Sequence, residues 1–359
     1  MNKGSPLHDY SSRIARVQKD LSQDASLLVT DALNIRYLCG FSGSSGALVI
    51  DRESATLVTD GRYVEQAHSE TFSILIFESR SLFDGVGKVI KTGQVFFEPN
   101  NLTITQYERL SGTLSGRTLI KSSINIESIR VIKDNSEIAL IEQACAISTT
   151  SLHELVSSGL LGLSEKAIAQ RLNALMIKHG ADGPAFDSIV ATGPNSAIPH
   201  HQPTDRPFTH GDLLKIDFGA LVLGYHADCT RTFSAGEPTA WQRETYDAVY
   251  TSQTAATAMV AAGVALTSVD QCARGVIASL GRTAEFVHGL GHGVGLQIHE
   301  DPFLSATDAT RLEENMVITV EPGLYVPGLG GVRIEDTLVV TASGSKNLTV
   351  FPYELINIS

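Results

Sequence analysis

Five residues that are distant in the sequence carry the main chemical signal of this chain, and four of them lie in otherwise apolar or β-branched segments. They are Asp217 in KIDFG, Asp228 in HADCTRTF, His292 in HGLGHGVG, Glu321 in TVEPGLY and Glu335 in VRIED. An ionised carboxylate in an apolar segment is costly unless it is paired, protonated or bound to a metal ion. Four negative charges balance two divalent cations, so together the five residues predict a site for two such ions.

The spacing of the two aspartates predicts a hairpin. Asp217 and Asp228 lie on two strand-like segments separated by ALVLG. A tight reversal near Val222 and Leu223, with Gly224 available for a positive φ, would place the two carboxylates directly opposite each other. Like charges opposed in this way destabilise a strand pair unless a cation lies between them. Taken alone, each aspartate is equally well explained as a turn cap or a solvent-facing residue.

Glu321 and Glu335 repeat this arrangement on two strands joined by the loop PGLYVPGLGG. Arg333 precedes Glu335 by two residues and therefore lies on the same face of its strand. Arg333 is either an ion-pair partner of the acidic cluster or a group that orients carboxylates and holds substrate. A ligand set of oxygens with one histidine suits manganese, with cobalt or zinc as alternatives. Two such ions can activate a bridging water, which favours a hydrolytic function.

Histidines form the second signal. NSAIPHH ends in His200 and His201, and HGLGHGVGLQIHE carries His288, His292 and His299. The alternating glycines of the second segment argue against a helix and would let a ligand approach the backbone closely. A single histidine is most often a surface or core residue. Three in one glycine-rich segment, with a candidate metal ligand among them, favour a function.

Composition narrows the class of protein. The chain has 359 residues, a net charge of −12 and a pI of about 5.4, and no run of Lys or Arg that would bind nucleic acid. Its four cysteines form no CxxC pair, which is typical of a reducing compartment. The first 20 residues lack the apolar segment of a signal peptide, and no stretch is long and apolar enough to span a membrane. We expect a cytoplasmic protein.

Two domains are expected from the length and from a change in pattern. Residues 1–124 form an N-terminal α/β domain, with strands predicted at 26–30, 46–50, 55–59, 72–77 and 94–98. Residues 125–359 form an α+β domain with helices segregated from a curved antiparallel sheet. Capping boxes at Asp134 and Thr239 mark two of its helices, and Ser164 begins another. Its strands are predicted at 187–191, 212–219, 225–233, 315–323 and 332–340.

Together these motifs resemble one family, the pita-bread metallopeptidases. It includes methionine aminopeptidase, aminopeptidase P and prolidase, with creatinase as a relative that needs no metal. The segments NIRYLCGFSGSSGALVI and LVTDGRYVEQA are similar to the N-terminal domain of aminopeptidase P, prolidase and creatinase, which methionine aminopeptidase lacks. The resemblance covers essentially the whole chain. It implies a C-terminal pita-bread domain preceded by a smaller creatinase-type α/β domain.

The resemblance also implies roles for individual residues. The metal ligands would be Asp217, Asp228, His292, Glu321 and Glu335. His200 and His299 would contact the substrate and stabilise the oxyanion, and His288 would help shape the substrate pocket. Because the family motif has one histidine after the proline of NSAIPHH, the role is assigned to His200 and not to its neighbour His201.

Glu321 would combine metal binding with proton transfer, and Arg333 would support that network. The implied activity is hydrolysis of the Xaa-Pro bond, a tertiary amide without an N–H group, at the N-terminus of peptides or in dipeptides. The expected partners are therefore a proline-containing peptide as substrate and a second copy of the chain in a homodimer. Sequence does not separate aminopeptidase P from prolidase.

Three other interpretations use the same fold. A methionine aminopeptidase would lack the N-terminal domain, and a creatinase-like hydrolase would not need the five ligands. A non-catalytic binding protein would be expected to lose some of them. This chain retains all five, which favours a metal-dependent exopeptidase.

Overall fold

The computed structural model describes residues 8–358, which form two compact units that divide between Arg130 and Val131. The boundary predicted after residue 124 lies just before the short helix Ile126–Arg130 that ends the first unit. All four cysteines lie in the described part of the chain as free thiols. None of the described helices is both long and apolar enough to cross a membrane.

The first unit has an α/β architecture. Its helices are α1 (Tyr10–Lys19), α2 (Ala32–Cys39), α3 (Val64–Glu70), α4 (Leu82–Val89), α5 (Ile104–Thr113) and α6 (Ile126–Arg130). Its strands are β1 (Ala25–Val29), β2 (Gly46–Asp51), β3 (Ala55–Thr59), β4 (Leu75–Glu78), β5 (Gln94–Phe97) and β6 (Thr118–Lys121). They form a mixed sheet in the order β4-β3-β2-β1-β5-β6. The predicted strands are confirmed, with ends that differ by up to three residues.

The first unit is stabilised by apolar residues that the strands and helices bury together. Leu28, Val49 and Val58 from the sheet pack with Val86 and Leu110 from the helices. Apolar side chains removed from water in this way supply the main driving force for folding. The sequence pattern did not predict α1, α2, α5 and α6.

The second unit has an α+β architecture. Its helices are α7 (Asn135–Val156), α8 (Glu165–Lys178), α9 (Ala240–Met259) and α10 (Leu266–Ser279), with 3₁₀ turns at Gly193–Ala197 and Thr283–Glu285. Its strands are β7 (Gly183–Pro184), β8 (Ile189–Thr192), β9 (Leu213–Phe218), β10 (Ala220–Val222), β11 (Tyr225–His226), β12 (Cys229–Ser234), β13 (Gly291–Gly293), β14 (Glu300–Leu304), β15 (Val317–Val320), β16 (Gly323–Val326), β17 (Gly330–Arg333), β18 (Asp336–Thr341) and β19 (Gly344–Asn347).

Local signals in the sequence position the helices of this unit. Asp134 and Glu137 form a capping box at the start of α7, and Thr239 and Gln242 form another at the start of α9, as predicted. The Ser164 hydroxyl caps α8. The named strands of this unit pair only in antiparallel fashion within the described residues, in agreement with the predicted fold class.

Two hairpins carry the acidic residues, and we call them the aspartate hairpin (residues 213–234) and the glutamate hairpin (residues 317–341). Each predicted second strand is broken where its carboxylate lies, between β11 and β12 and between β17 and β18. At these breaks the hairpins bond to each other. Thr337 Oγ1 donates to Asp228 O at 2.8 Å, and Glu335 N donates to Thr230 O at 3.1 Å.

The register of the aspartate hairpin differs from the predicted one. Leu223 and Gly224 form its turn with φ of 46° and 83°, one residue later than expected, and Asp217 pairs with Thr230. The prediction that Asp217 lies directly opposite Asp228 is therefore wrong. In the glutamate hairpin Val320 pairs with Asp336 and Gly323 with Arg333, which leaves Glu321 and Glu335 opposite each other between the two ladders.

Candidate active site

A cavity of about 360 Å³ in the second unit gathers the residues singled out in the sequence. Nine predicted site residues line it: His200, Asp217, Asp228, His288, His292, His299, Glu321, Arg333 and Glu335. These residues come from both hairpins and from the segments around β8 and β13. Phe186, Ile189, Ile298 and Phe303 add apolar surface. A concave site with a few converging polar groups is typical of a small-ligand pocket.

The acidic groups converge on the ring of His292. His292 Nε2 lies 3.5 Å from Asp228 Oδ2 and 3.4 Å from Glu321 Oε1. Donor atoms of Asp228, His292 and Glu335 all lie within 4.8 Å of one another. This set of two carboxylates and an imidazole, all buried, is a candidate metal site.

Several carboxylate oxygens in this cluster lack a hydrogen-bond donor. Asp217 Oδ1, Asp228 Oδ1 and Glu335 Oε1 are buried and accept no hydrogen bond from the described residues. Burial, and then the charges of neighbouring carboxylates, raises the pKa of Asp228 and of Glu335 well above the ordinary range. Burial also raises the pKa of Glu321 to about 8. A cation among these groups would satisfy the bare oxygens and relieve the repulsion.

The protonation of His292 suits metal binding. Its Nδ1 lies 3.0 Å from Gly293 O, which can only accept a hydrogen bond. The proton therefore lies on Nδ1, and Nε2 presents its lone pair to the carboxylates. Burial lowers the pKa of His292 to about 4, so the ring is neutral at neutral pH. A backbone acceptor that fixes the tautomer is typical of histidines that bind metals.

Arg333 connects the two hairpins. Its guanidinium donates to Asp217 Oδ2 through Nη2, to Thr230 Oγ1 at 3.0 Å and to the Tyr325 hydroxyl at 2.8 Å. Its Nε also lies 3.9 Å from Glu321 Oε2. Arg333 is buried, and its charge offsets part of the negative charge of the cluster. Thus the ion-pair role considered from the sequence is present in the structure.

His288 is held on both sides of its ring. The Tyr325 hydroxyl lies 2.9 Å from His288 Nε2, and His288 Nδ1 lies 2.7 Å from Gly289 O. Because Arg333 donates to the Tyr325 hydroxyl, that hydroxyl donates onward to His288. Burial lowers the pKa of His288 to about 3. With both nitrogens engaged, the ring forms a fixed, neutral wall of the cavity.

The two exposed histidines of the cavity lie on separate loops. The ring of His299 packs edge-on against His292, with centroids 4.4 Å apart. Burial, and then the nearby charge of His200, lowers the pKa of His299. His200 faces the cavity, whereas His201 turns inward, with its Nε2 2.8 Å from Glu165 Oε2. This agrees with the choice of His200 for the functional role.

The glycines around His292 serve the packing of strands. A Cβ on Gly291 would lie 2.1 Å from Thr319 O, and one on Gly293 would lie 2.3 Å from Asp301 O. Gly289 and Gly291 line the cavity, but the expectation that these glycines admit a ligand is wrong at Gly293, because neighbouring backbone fills the space. Their absent side chains instead let β13 approach its neighbours and place His292.

Comparisons with known proteins agree with this geometry. Residues 139–342 match the model of metallopeptidase family M24, and residues 13–132 match the creatinase/prolidase N-terminal domain. The chain belongs to metallopeptidase family M24. The Xaa-Pro dipeptidase of Pyrococcus horikoshii is 37% identical over 351 residues, which cover 98% of this chain and 99% of that protein.

Solved structures show the same similarity. A Xaa-Pro dipeptidase from Bacillus anthracis is 35% identical with a TM-score of 0.92, covering 98% of this chain and 99% of that one. An X-Pro aminopeptidase from Thermotoga maritima is 34% identical with a TM-score of 0.90, covering 96% and 100%. The two domains expected from the resemblance, a creatinase-type N-terminal domain and a pita-bread domain, are therefore confirmed.

Membership of family M24 implies divalent metal ions, and the residues present fit them. The bare oxygens of Asp217, Asp228 and Glu335, together with Nε2 of His292, supply the hard oxygen and imidazole donors that such ions prefer. With one carboxylate from each of four strand ends, the site depends on both hairpins.

Sequence reasoning missed three polar residues of this M24 site. Thr230 donates to Glu335 Oε2 at 2.6 Å and accepts from Arg333. Thr319 accepts from His292 N at 3.1 Å, and Tyr325 links Arg333 to His288. Thr230 and Thr319 each lie two residues from a predicted ligand. The alternation of side chains along a strand was therefore the signal that could have found them.

Proposed function

We propose that this protein is an Xaa-Pro dipeptidase that uses two divalent metal ions, with manganese as the metal in the cell. The observation that carries the proposal is the set of bare, buried carboxylate oxygens on Asp217, Asp228 and Glu335, in the cavity that His292 also lines. The Pyrococcus horikoshii and Bacillus anthracis proteins, both named Xaa-Pro dipeptidase, support this substrate class over almost the full length of the chain.

The chemistry required follows from the substrate. The Xaa-Pro bond is a tertiary amide, so the enzyme cannot hold it through an N–H group and must act on the carbonyl. Bound divalent cations would supply Lewis acidity and a water that is acidic enough to attack at neutral pH. With two such cations, four carboxylates and Arg333 leave one formal positive charge, which favours the negative charge that develops on the carbonyl oxygen.

The chain's own residues would orient and stabilise the reacting groups. His200 and His299 face the cavity with exposed rings, and either ring can donate a hydrogen bond to the developing oxyanion. The Glu321 side chain is 16% exposed, against 11% for Asp217 and 6% for Asp228. Glu321 is therefore the carboxylate best able to exchange a proton with bound substrate.

The size of the cavity favours a short substrate. Its volume of about 360 Å³ lies near the lower end of the range for ligand pockets. His288, fixed by Tyr325, and the apolar side chain of Phe303 give the cavity walls that suit a proline ring. A dipeptide would fill such a cavity, whereas the rest of a longer peptide would have to extend out of the cavity.

A product assay tests this proposal. Purified protein supplied with Mn²⁺ should hydrolyse Gly-Pro and should leave Ala-Pro-Gly intact. Release of alanine from Ala-Pro-Gly, without cleavage of Gly-Pro, would identify an aminopeptidase P instead. Cleavage of neither peptide would contradict an Xaa-Pro activity. The homodimer stays a prediction, which light scattering at micromolar concentration tests.

A further inference from the structure

Glu165 is a buried carboxylate outside the acidic cluster that gathers an unusual number of hydrogen bonds. Its side chain is fully buried at the first position of α8. Oε1 accepts from Thr192 N at 2.7 Å, Thr192 Oγ1 at 3.0 Å and Asn195 Nδ2 at 3.0 Å. Oε2 accepts from His201 Nε2 at 2.8 Å, Thr204 N at 2.8 Å and Thr204 Oγ1 at 2.6 Å.

These bonds keep the carboxylate ionised although it is buried. Burial by itself raises the pKa of Glu165, but hydrogen bonds from Thr204, His201, Thr192 and Asn195 outweigh it and lower the pKa to about 2. An ionised, fully bonded carboxylate is a strong acceptor, and hydrogen bonds to a charged group are about twice as strong as neutral ones. The donors are therefore held firmly.

The donors belong to one segment, residues 192–204, which we call the histidine loop because it carries His200. Glu165 binds this loop at both ends, through Thr192 and Thr204. From the other side, Lys215 Nζ donates to Ser196 O at 3.1 Å and Ile198 O at 2.8 Å. The loop is thus fixed between the buried carboxylate of Glu165 and the buried amine of Lys215.

The orientation of His200 depends on this loop. None of the described residues forms a hydrogen bond with the His200 ring, so it is the loop backbone that places the residue at the cavity. That backbone is anchored next to the site, because Pro199 O accepts from Arg333 Nη1 at 3.3 Å. Pro199 and His200 lie in a turn, and the next residue, His201, is held inward by Glu165. His200 consequently faces the cavity.

We propose that Glu165 is a positioning residue for His200. Its carboxylate fixes both ends of the histidine loop and draws His201 into the interior, which directs the His200 ring at the substrate carbonyl. This inference rests on the proposed function, in which His200 stabilises the oxyanion. Glu165 itself touches neither the cavity nor the predicted metal ligands.

The chain offers a control in Glu154, a more exposed glutamate whose side chain is 41% accessible. This glutamate also pairs with a histidine, with Oε2 2.9 Å from His179 Nε2, and it binds Lys178 as well. It lies on α7 in the same unit and makes no hydrogen bond to the histidine loop. Glu154→Gln therefore removes a Glu–His pair without affecting His200.

The kinetic test uses a double-mutant cycle on the metal-loaded, full-length enzyme with Gly-Pro. Glu165→Gln keeps one acceptor oxygen and replaces the other with a donor, so three of the six contacts lose their acceptor. It should lower kcat by roughly 10–100-fold and alter KM less. In the His200→Ala background the same change should lower kcat by less than about 3-fold, because its effect passes through His200. Glu154→Gln should behave like wild type.

Equal losses from Glu165→Gln in both backgrounds would overturn the proposal, since a general loss of structure acts whether or not His200 is present. Amide hydrogen exchange supplies a readout that does not depend on activity. Exchange at Thr192 and Thr204 should accelerate in Glu165→Gln and stay unchanged in Glu154→Gln.

Unchanged exchange at both amides in Glu165→Gln would also overturn the positioning role. A wild-type enzyme that cleaves no Xaa-Pro peptide, combined with faster exchange in Glu165→Gln, would contradict the proposed function and still support the hold of Glu165 on the loop. The two failures are therefore distinguishable.

Discussion

The aspartate hairpin and the glutamate hairpin bring their carboxylates together in different ways. In the glutamate hairpin Glu321 and Glu335 face each other where the strand pairing is interrupted. In the aspartate hairpin a hydroxyl, that of Thr230, stands opposite Asp217, and Asp228 lies two residues further back. The glutamate hairpin therefore opposes two charges directly, whereas the aspartate hairpin opposes a charge to a neutral hydroxyl and offsets its second charge by two residues.

This difference shows what joins the two hairpins. Thr230, the neutral partner in the aspartate hairpin, donates to Glu335 and accepts from Arg333, both of which belong to the glutamate hairpin. A second carboxylate at position 230 would repel Glu335 instead. The offset register thus lets four acidic residues share one cavity while a hydroxyl and a guanidinium hold their strands in place.

The largest effect should come from removing a ligand in either hairpin. Asp228→Asn and Glu335→Gln should each lower kcat/KM by more than ~10³-fold, as expected for groups on which the chemistry depends. Without metal, neither variant should be less stable than the wild-type chain at pH 8. Each carboxylate has a raised pKa, so its charge is costly inside the fold, and the substitution removes that charge. If the melting temperature of either metal-free variant fell by many degrees, that residue would be a structural ion-pair member.

The adjacent histidines should differ sharply, although neither belongs to a hairpin. If His200 donates to the oxyanion, His200→Ala should lower kcat by roughly 10²–10³-fold and change KM much less. His201→Ala removes one of the six contacts to Glu165 and should stay within a few-fold of wild type in both parameters. The reverse pattern would mean that the assignment of this loop is shifted by one residue.

The joint between the hairpins can be tested at Thr230. Thr230→Val keeps the shape but loses the bonds to Glu335 and Arg333, and it should lower kcat by roughly 10–100-fold, as for groups that orient ligands. Thr232→Val is the control, because Thr232 bonds only the backbone of Arg333. Both variants should lose similar stability, about 1–3 kcal/mol. Equal kinetic losses would contradict a special role for Thr230.

The smallest effect concerns the stability of metal-free protein as the pH changes. Glu321 has a pKa of about 8 in the fold against its ordinary value of 4.5, so the folded chain holds a proton that the unfolded chain releases. The buried histidines His288 and His292 act in the opposite direction below pH 6.5, so stability should fall as the pH rises from 6.5 to 8. Melting temperatures in chelator at several pH values measure this. Added metal should remove the dependence, and stability that rises with pH between 6.5 and 8 in chelator would contradict it.

Much of the site could be predicted from the sequence, because ionisable groups in apolar strands and histidines flanked by glycines are unusual patterns. The register of the aspartate hairpin could not be predicted. It depends on Leu223, which adopts a positive φ that the sequence gives no reason to expect of a leucine. Asp182 stabilises this turn by accepting from Leu223 N at 2.6 Å, a contact between residues 41 positions apart.

The same limit explains the missed polar residues. Thr230 contacts Glu335 across 105 residues, and Arg333 reaches Asp217 across 116. Periodicity along one strand shows which face a residue occupies, but it does not show which other hairpin will face it. Glu165 was missed for the same reason, since its importance comes from a loop that begins 27 residues later.

The proposed function requires that the hairpins together form a site for two divalent ions on which hydrolysis depends. Its most direct test measures metal content and the rate of Gly-Pro hydrolysis on the same sample, after chelation and during stepwise addition of Mn²⁺. We expect no activity in metal-free protein and full recovery at two equivalents per chain. Full activity in a sample verified to be metal-free would contradict it.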